Sequence, residues 1–455
     1  SMSNEGTGVN KEPGSGITIM GYAGITSYDV AAHSIDIFHQ ASIAQIQTNI
    51  NSKTCPVTTT IVNSTPVVAA VSNYTIPIST PFALTGSATD ANASDVLTYC
   101  WEQNDNASSS QTNASSRASA TKTTGPNWVS FPATTSPTRY FPRLATILAG
   151  GTTTGPLTGG DATMVTEALS SVARTLNFRL TVRDNAPYSS TAPVSVGQTQ
   201  FTDMVVTVSS ASGPFAVSSP NTAVSWAGNS TQTITWSVNN TTAAPVSCAN
   251  VKISLSTDGG NTFPTVLAAS TPNDGSEALA IPNTPTTTAR IKVEAVGNIF
   301  FDISNANFTI TSGSACANAS GLASSSVATT SANLSWNAVS TATSYTVGYK
   351  LNSSSTWTDL TAQTTTSASL SGLASGSLYD WRVVTTCTSG SSTASAQFTT
   401  QTVCVAPAGL SSTPGSTTAT VSWSAVTAAT SYAVDYKLNS SSTWVSFSTA
   451  QTTTS

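Results

Sequence analysis

The residues able to do chemistry are few. His33 and His39 are the only histidines. A zinc-hydrolase site needs two histidines one helical turn apart, a glutamate between them as general base, and a third ligand further on. His33 and His39 stand six positions apart, on different faces of any helix. No HExxH occurs, so three-histidine ligation is out of reach and both histidines read as structural. The six cysteines, Cys55, Cys100, Cys248, Cys316, Cys387 and Cys404, form no CxxC pair, which excludes a zinc ribbon or a thioredoxin-like motif. Their wide spacing suits isolated disulfides within or between small domains; buried free thiols are the other reading. No GxSxG elbow and no GxxxxGK[ST] loop is present, and the histidine distribution argues against a Ser-His-Asp triad. Paired carboxylates for glycoside hydrolysis cannot be drawn from 20 scattered acidic residues. Trp101, Trp128 and Trp226 could stack on sugar rings, but a strand tryptophan more commonly belongs to a core. The adjacent glycines of TDGGN (257–261) read as a hairpin turn.

Composition explains why so little chemistry is available. Only 8% of the 455 residues are charged, about a third of the usual share, and Ser, Thr, Ala and Asn fill the surface instead. With 39% hydrophobic residues and nine tryptophans spaced along it, the chain is not disordered. Low charge with abundant Thr and Val reads as an extracellular all-β protein. A net charge of −5 without any Lys/Arg-rich run argues against nucleic acid or an anionic membrane as partner. No apolar stretch reaches the roughly 18 residues that span a bilayer. The opening residues SMSNEGTGVN carry no apolar core of a secretory leader, so the compartment has to be argued from the modules.

The elements that position these residues fall into sections. Residues 1–54 hold both histidines and the one convincing helical pattern: Ile35, Phe38, Ser42, Ile46 and Ile50 at three- and four-residue steps predict an amphipathic helix from about Asp29 to Asn49, capped by Asp29 or Ser34. Some fifty residues with one helix cannot bury a sizeable core, which calls for something upstream. Residues 55–65 read as a Thr-rich linker. Residues 66–210 are strand-like, with TIPISTPFALTGSATD, LTYCWEQ, NFRLTVRDN and DMVVTVSS alternating apolar and polar positions; the Ser/Thr/Gly/Asn-rich middle, 104–160, reads as long loops. Residues 213–312, opened by Gly213-Pro214, make a further β-sandwich module. The remainder is an internal repeat. ANLSWNAVSTATSYTVGYKLNSSSTW recurs as ATVSWSAVTAATSYAVDYKLNSSSTW, so that Trp336 maps to Trp423, Tyr345 to Tyr432, Tyr349 to Tyr436 and Trp357 to Trp444. The first copy fills 316–400. The second, 404–455, stops where the first still has three strands to come, leaving an open sheet edge through which the chain could self-associate.

The first copy resembles a fibronectin type III domain. Trp336 takes the place of the inner-face tryptophan of the second strand, and Leu373, Gly376 and Tyr379 have the spacing of a tyrosine corner. On that resemblance Cys316, ahead of the first strand, pairs with Cys387 at the end of the sixth; Cys404 occupies the place of Cys316 in the second copy, with a partner beyond residue 455. Residues 66–210 resemble cadherin-like and PKD-like sandwiches through SATDANASD, LTYCWEQ and LTVRDN. In calcium-binding relatives the Asp and Asn of such loops supply oxygen ligands, which makes Asp90, Asn92, Asp95 and Asp184 calcium candidates; local turn hydrogen bonding is the simpler use of the same residues. Residues 1–54 resemble the end of a metzincin catalytic domain of the reprolysin-like kind through EPGSGITIMGYAG. Met20 matches the Met-turn beneath the zinc site, Tyr22 sits where some metzincins place a zinc-proximal tyrosine, and the following helix matches the closing helix. Zinc would belong to the full-length parent, its ligands lying before Ser1.

The expected fold is therefore mainly β: tandem Ig-like and fibronectin III-like sandwiches behind a small helical metzincin remnant. The expected function is that of the secreted, non-catalytic downstream region of a zinc metallopeptidase. Its partners would be a protein or peptide substrate and a cell-surface or matrix component. The alternative is an extracellular adhesive or filament-forming protein. Either way the chain alone should be inactive as an enzyme.

Overall fold

The computed structural model describes residues 9–55, 57–313 and 316–455. The chain is mainly β, with a small helical part near the N-terminus, and it divides into two compact units, one ending at residue 313 and the other taking the rest.

In the first unit, one sheet orders the strands Tyr74–Pro77, Thr199–Ser209, Arg174–Arg183 and Thr98–Gln103 side by side, the first pair parallel and the others antiparallel. Strand periodicity sends Leu176, Phe178, Leu180 and Val182 to one face, where they are buried. Against them pack Phe82–Thr85 and Thr138–Phe141, paired antiparallel. A second sandwich follows, with a three-stranded sheet around Thr231–Ser237 and a six-stranded sheet around Asn250–Ser256 and Thr286–Ala295. One hydrophobic cluster runs through both sandwiches, from Phe82, Phe141 and Phe178 to Phe215, Phe300 and Ile291. The seam is sewn by backbone: Ala83 N–H donates to the Ile299 carbonyl and Phe301 N–H to that of Pro81, each at 3.0 Å. The crossing at Gly213 requires glycine, since its φ is +102° and a Cβ there would stand 2.5 Å from the Ile78 carbonyl oxygen.

Two sequence expectations need correction here. The segment 104–160 is not all loop, because it contributes the strand Thr138–Phe141 and the short helix Leu144–Leu148. Its apolar residues are too few to stand out in a Ser/Thr-rich stretch, yet Phe141 stacks on Phe82 at 4.9 Å. The N-terminal helix is also shorter than its periodicity suggests, spanning Gln40–Asn51. Residues 29–37 cannot be helical because their backbone is spent sideways. Ile35 N–H donates to Ile17 O, the Ile37 carbonyl accepts from Ile19, and Val30 and Asp29 carbonyls accept from Leu157 and Asp161. The cap is neither Asp29 nor Ser34 but His39, whose Nδ1 accepts from Ala41 N–H at 3.1 Å.

The second unit holds the repeat. Its first copy is a complete sandwich, with Ser320–Ser325, Ser331–Asn337 and Ser367–Ser371 in one sheet and Thr358–Gln363, Ala342–Leu351, Leu378–Cys387 and Gly390–Thr399 in the other. Trp336, Tyr345, Val347, Trp381 and Val383 fill the space between. The second copy consists of two hairpins, Ser411–Pro414 with Ala419–Ser422 and Tyr432–Tyr436 with Val445–Gln451.

Candidate functional site

Residues 9–51 lie against the first sandwich and owe their shape to a few buried polar contacts. The Glu12 carboxylate accepts from Ile17 N–H at 3.1 Å and from the Thr18 hydroxyl at 2.6 Å, closing the turn that precedes Met20. Ser15 Oγ accepts from Val30 N–H. The contact with the sheet is made by Glu102, fully buried, whose two oxygens accept from Gln40 N–H at 3.0 Å and the Ser130 hydroxyl at 3.1 Å. His39 Nε2 lies 3.9 Å from the same carboxyl, beyond hydrogen-bond reach. Because Nδ1 accepts an amide proton, the neutral ring carries its hydrogen on Nε2. Burial lowers the His39 pKa and raises that of Glu102 to about 7, against the pull of Arg183 and the hydrogen bonds it accepts.

Met20 and Tyr22 are placed together at the surface beside His39 and Lys11, lining a small recess of about 70 Å³. Met20 is 64% exposed and Ile25 76%, with Ile19 and Tyr22 also open to solvent. His33 is exposed and His39 is buried at a helix cap, so the two histidines do not converge.

Each of the calcium candidates has at least one side-chain oxygen that accepts a hydrogen bond from the protein. Asp90 Oδ1 accepts from Asn92 N–H at 2.7 Å, and Asn92 Oδ1 accepts from Ser64 N–H at 2.8 Å. Asp184, wholly buried, accepts from Ala186 and Gln198 N–H through Oδ1 and from the Asn63 amide through Oδ2. Asp90 Oδ2 and Asp95 Oδ2 are shielded from water without a hydrogen-bond partner. Among the described residues no three His, Cys, Asp or Glu side chains come together as a metal-holding group. Trp101 and Trp128 are core residues, so neither is offered to a sugar ring, whereas Trp226 is half-buried and packs on Phe308 at 4.7 Å.

In the second unit, Cys316 and Cys387 form a disulfide. Tyr379 sends its hydroxyl back to accept from Ala374 N–H at 2.9 Å, beside buried Leu373 and Gly376 at φ +60°. That is the tyrosine corner. Residues 317–401 match the family described as the fibronectin type III domain. Among solved structures, the chain is similar to the chicken CNTN1 FN1-FN3 domains, with 10% identity over 74% of this chain and 99% of that one and a TM-score of 0.25. It is also similar to an FN3 domain of human collagen XX, with 22% identity over 18% of this chain and 90% of that one and a TM-score of 0.18. A computationally redesigned β-sandwich protein aligns with 21% identity over 19% of this chain and 97% of its own, TM-score 0.18. No curated protein matches the chain. A fibronectin type III domain with a disulfide fits an extracellular protein, and no described helix is long and apolar enough to cross a membrane.

The corner makes the first stability prediction. Tyr379→Phe keeps the buried ring, stacked on Phe398 at 5.5 Å, but leaves Ala374 N–H without its acceptor. The expected cost is about 1–2 kcal/mol, read as a lower urea midpoint at unchanged m-value. An unchanged midpoint would mean that water replaces the hydroxyl without loss.

Sequence reasoning missed the Glu102–His39 contact and a second buried acid, Glu167. Its oxygens meet Arg139 at 3.0 Å and Arg143 N–H at 3.0 Å. The only local signal for Glu102 was its position in LTYCWEQ, a strand in which both faces turn out to be covered.

Proposed function

We propose that this chain is the non-catalytic downstream region of a secreted zinc metallopeptidase, its β-sandwiches acting as spacer and docking modules. The observation that carries the reading is the N-terminal segment. It is tied to the sheet by Glu102 and braced internally by its own Glu12, yet it leaves Ile19, Met20, Tyr22 and Ile25 exposed. Single exposed apolar residues are ordinary; four of them within seven positions of one anchored turn are consistent with a surface that something covers. The Met-turn likeness of EPGSGITIMGYAG names that covering as the catalytic domain, its zinc ligands carried on the upstream polypeptide. Protein substrates and surface or matrix components are then the partners of the sandwiches. The low charge and the disulfide support the secreted location.

The test is the complete reading frame. An HExxHxxGxxH motif within the stretch encoded ahead of residue 1 is the expected result, and a frame without it overturns the reading. The chain by itself should show no zinc by metal analysis of the purified protein and no hydrolysis of casein with or without added zinc. Zinc-dependent cleavage by this chain would be equally fatal.

A further inference from the structure

Residues 9–51 are joined to the sandwich they lie on in two ways. One is a docked surface. The carbonyls of Asn10, Asp29 and Val30 accept from the N–H groups of Ala107, Asp161 and Leu157 at 2.8, 2.8 and 3.0 Å, and Gly14 and Ala32 N–H donate to the Ser116 and Thr158 carbonyls. Gln40 adds its side-chain amide, which donates to Asn104 Oδ1 at 2.7 Å. Ile17, Val30 and Ala31 share a buried cluster with Val129 and Met164. The approach is so close that a Cβ on Gly160 would stand 2.4 Å from the Val30 carbonyl oxygen. The other link is a bare tether. Lys53 N–H donates to Ile50 O at the end of the helix, and among the described residues the next backbone hydrogen bond is Val62 N–H to Val194 O. Every described residue from 51 to 60 is exposed, Val57 at 94%. The cations single out one point on this tether. Of the 15 Lys and Arg, Lys53 and Lys437 are the exposed ones. Lys437 belongs to the hairpin of Tyr432–Tyr436 with Val445–Gln451, its ammonium 5.2 Å from the Trp444 ring. The rest are buried or half-buried. At Arg117, for example, the adjoining Ser116 carbonyl and Ala118 N–H are bonded to Gly14 and Val165.

We propose that the Lys53–Thr54 peptide bond is a processing site for an extracellular peptidase that cuts after basic residues, and that the product is a two-part molecule whose N-terminal part stays docked. A bond inside a sheet or a hydrogen-bonded loop is cut only after local unfolding, whereas an exposed tether is open to a peptidase as it stands. Hydrolysis consumes only water. The C–N bond breaks, the Lys53 carbonyl carbon takes the hydroxyl, and the Thr54 nitrogen takes the proton. Residues up to 53 then remain in place, because the hydrogen bonds and the apolar cluster that dock them lie at residues 10–40 and owe nothing to the tether. The cut changes the kind of link. Before it, residues 1–53 are covalently part of the sandwich chain; after it, they are held by a surface that can be released and rebuilt. Neither part requires the metallopeptidase parentage.

The experiment treats the full chain with trypsin, which has the required specificity, and follows intact mass with time. The expected first cut within residues 1–400 is after Lys53. Size exclusion of the cut protein should carry residues 1–53 and the chain from Thr54 in one peak, and urea should separate them. In Lys53→Gln the first cut within residues 1–400 should be slower by roughly a hundredfold or more, since every remaining basic bond there waits for local opening. An earlier cut at Arg117, Arg143 or any other basic residue of that region would overturn the proposal. So would a fragment of residues 1–53 that elutes on its own under native conditions. The protein recovered from the medium of its source, sequenced from its N-terminus, should include chains that begin at Thr54. Chains intact across 53–54 throughout would reduce the tether to a laboratory cutting site and likewise overturn the processing role.

Discussion

Replacing Cys316 and Cys387 together by serine is expected to lower the stability of the fibronectin type III domain by about 2–4 kcal/mol. The bridge closes a loop with a sequence separation of 71, for which chain entropy alone gives roughly 4 kcal/mol. Its placement explains why the domain needs it. The first strand, Ser320–Ser325, turns little into the core, with Leu322 only partly buried, and pairs with one neighbour, across a register shift. The disulfide ties the chain ahead of that strand to the end of Leu378–Cys387 in the opposite sheet, so it staples the two layers where packing is thinnest. Urea unfolding of the full chain, followed by tryptophan fluorescence, should show one transition moving down and the other staying. A reductant should move the same transition in the parent protein and none in the double variant. Hydrogen exchange should be fastest at 320–325 once the bridge is gone. A shift below about 1 kcal/mol would mean that native packing, not the cross-link, holds the strand.

This domain was legible in sequence because its determinants are local. Period-2 burial around Trp336, Tyr345 and Val347 and the Leu373–Gly376–Tyr379 spacing each lie within one strand or one corner. The front half of the second copy was legible for the same reason, by repetition. The N-terminal segment was not. Ile35, Phe38, Ile46 and Ile50 keep helical spacing, but residues 29–37 are claimed by hydrogen bonds from 17–19 and 157–161, partners that no window of sequence contains. The seam between the first two sandwiches depends on Phe82 bridging to Phe300, more than two hundred positions away. Glu102 was hidden by the alternation itself. A strand with Trp101 inward ought to put Glu102 in water, and it does not because Gln40 and Ser130 roof that face.

That roofed carboxyl carries the other large expected effect. Glu102→Gln should make the first unit more stable than the parent at pH 8, by about 2–3 kcal/mol, and leave it nearly unchanged at pH 5. The sign follows from linkage. Burial raises the Glu102 pKa from 4.5 to about 7, so the folded state holds a proton that the unfolded chain releases. Stability from the protonated group is therefore complete below pH 4.5 and lost as pH rises through about 7. Asp302, half-buried and accepting from Val217 N–H, is raised to about 7 by desolvation and adds to the decline. His39 opposes them. Burial lowers its pKa from 6.5, so its contribution is present above 6.5 and lost as pH falls. With two carboxyls against one imidazole, the parent should lose stability as pH rises from 5 to about 7, and the loss should level off above that, where the folded carboxyls have themselves ionised. Glutamine keeps an oxygen for Gln40 N–H and removes the charge, so the slope from Glu102 vanishes while the contact remains. Thermal or urea midpoints taken from pH 5 to 8 decide the matter. A glutamine variant less stable than the parent at pH 8 would show that ionised Glu102 is held by Arg183 and Arg139 strongly enough to outweigh its desolvation, and His39 would then be facing a carboxylate rather than a carboxylic acid.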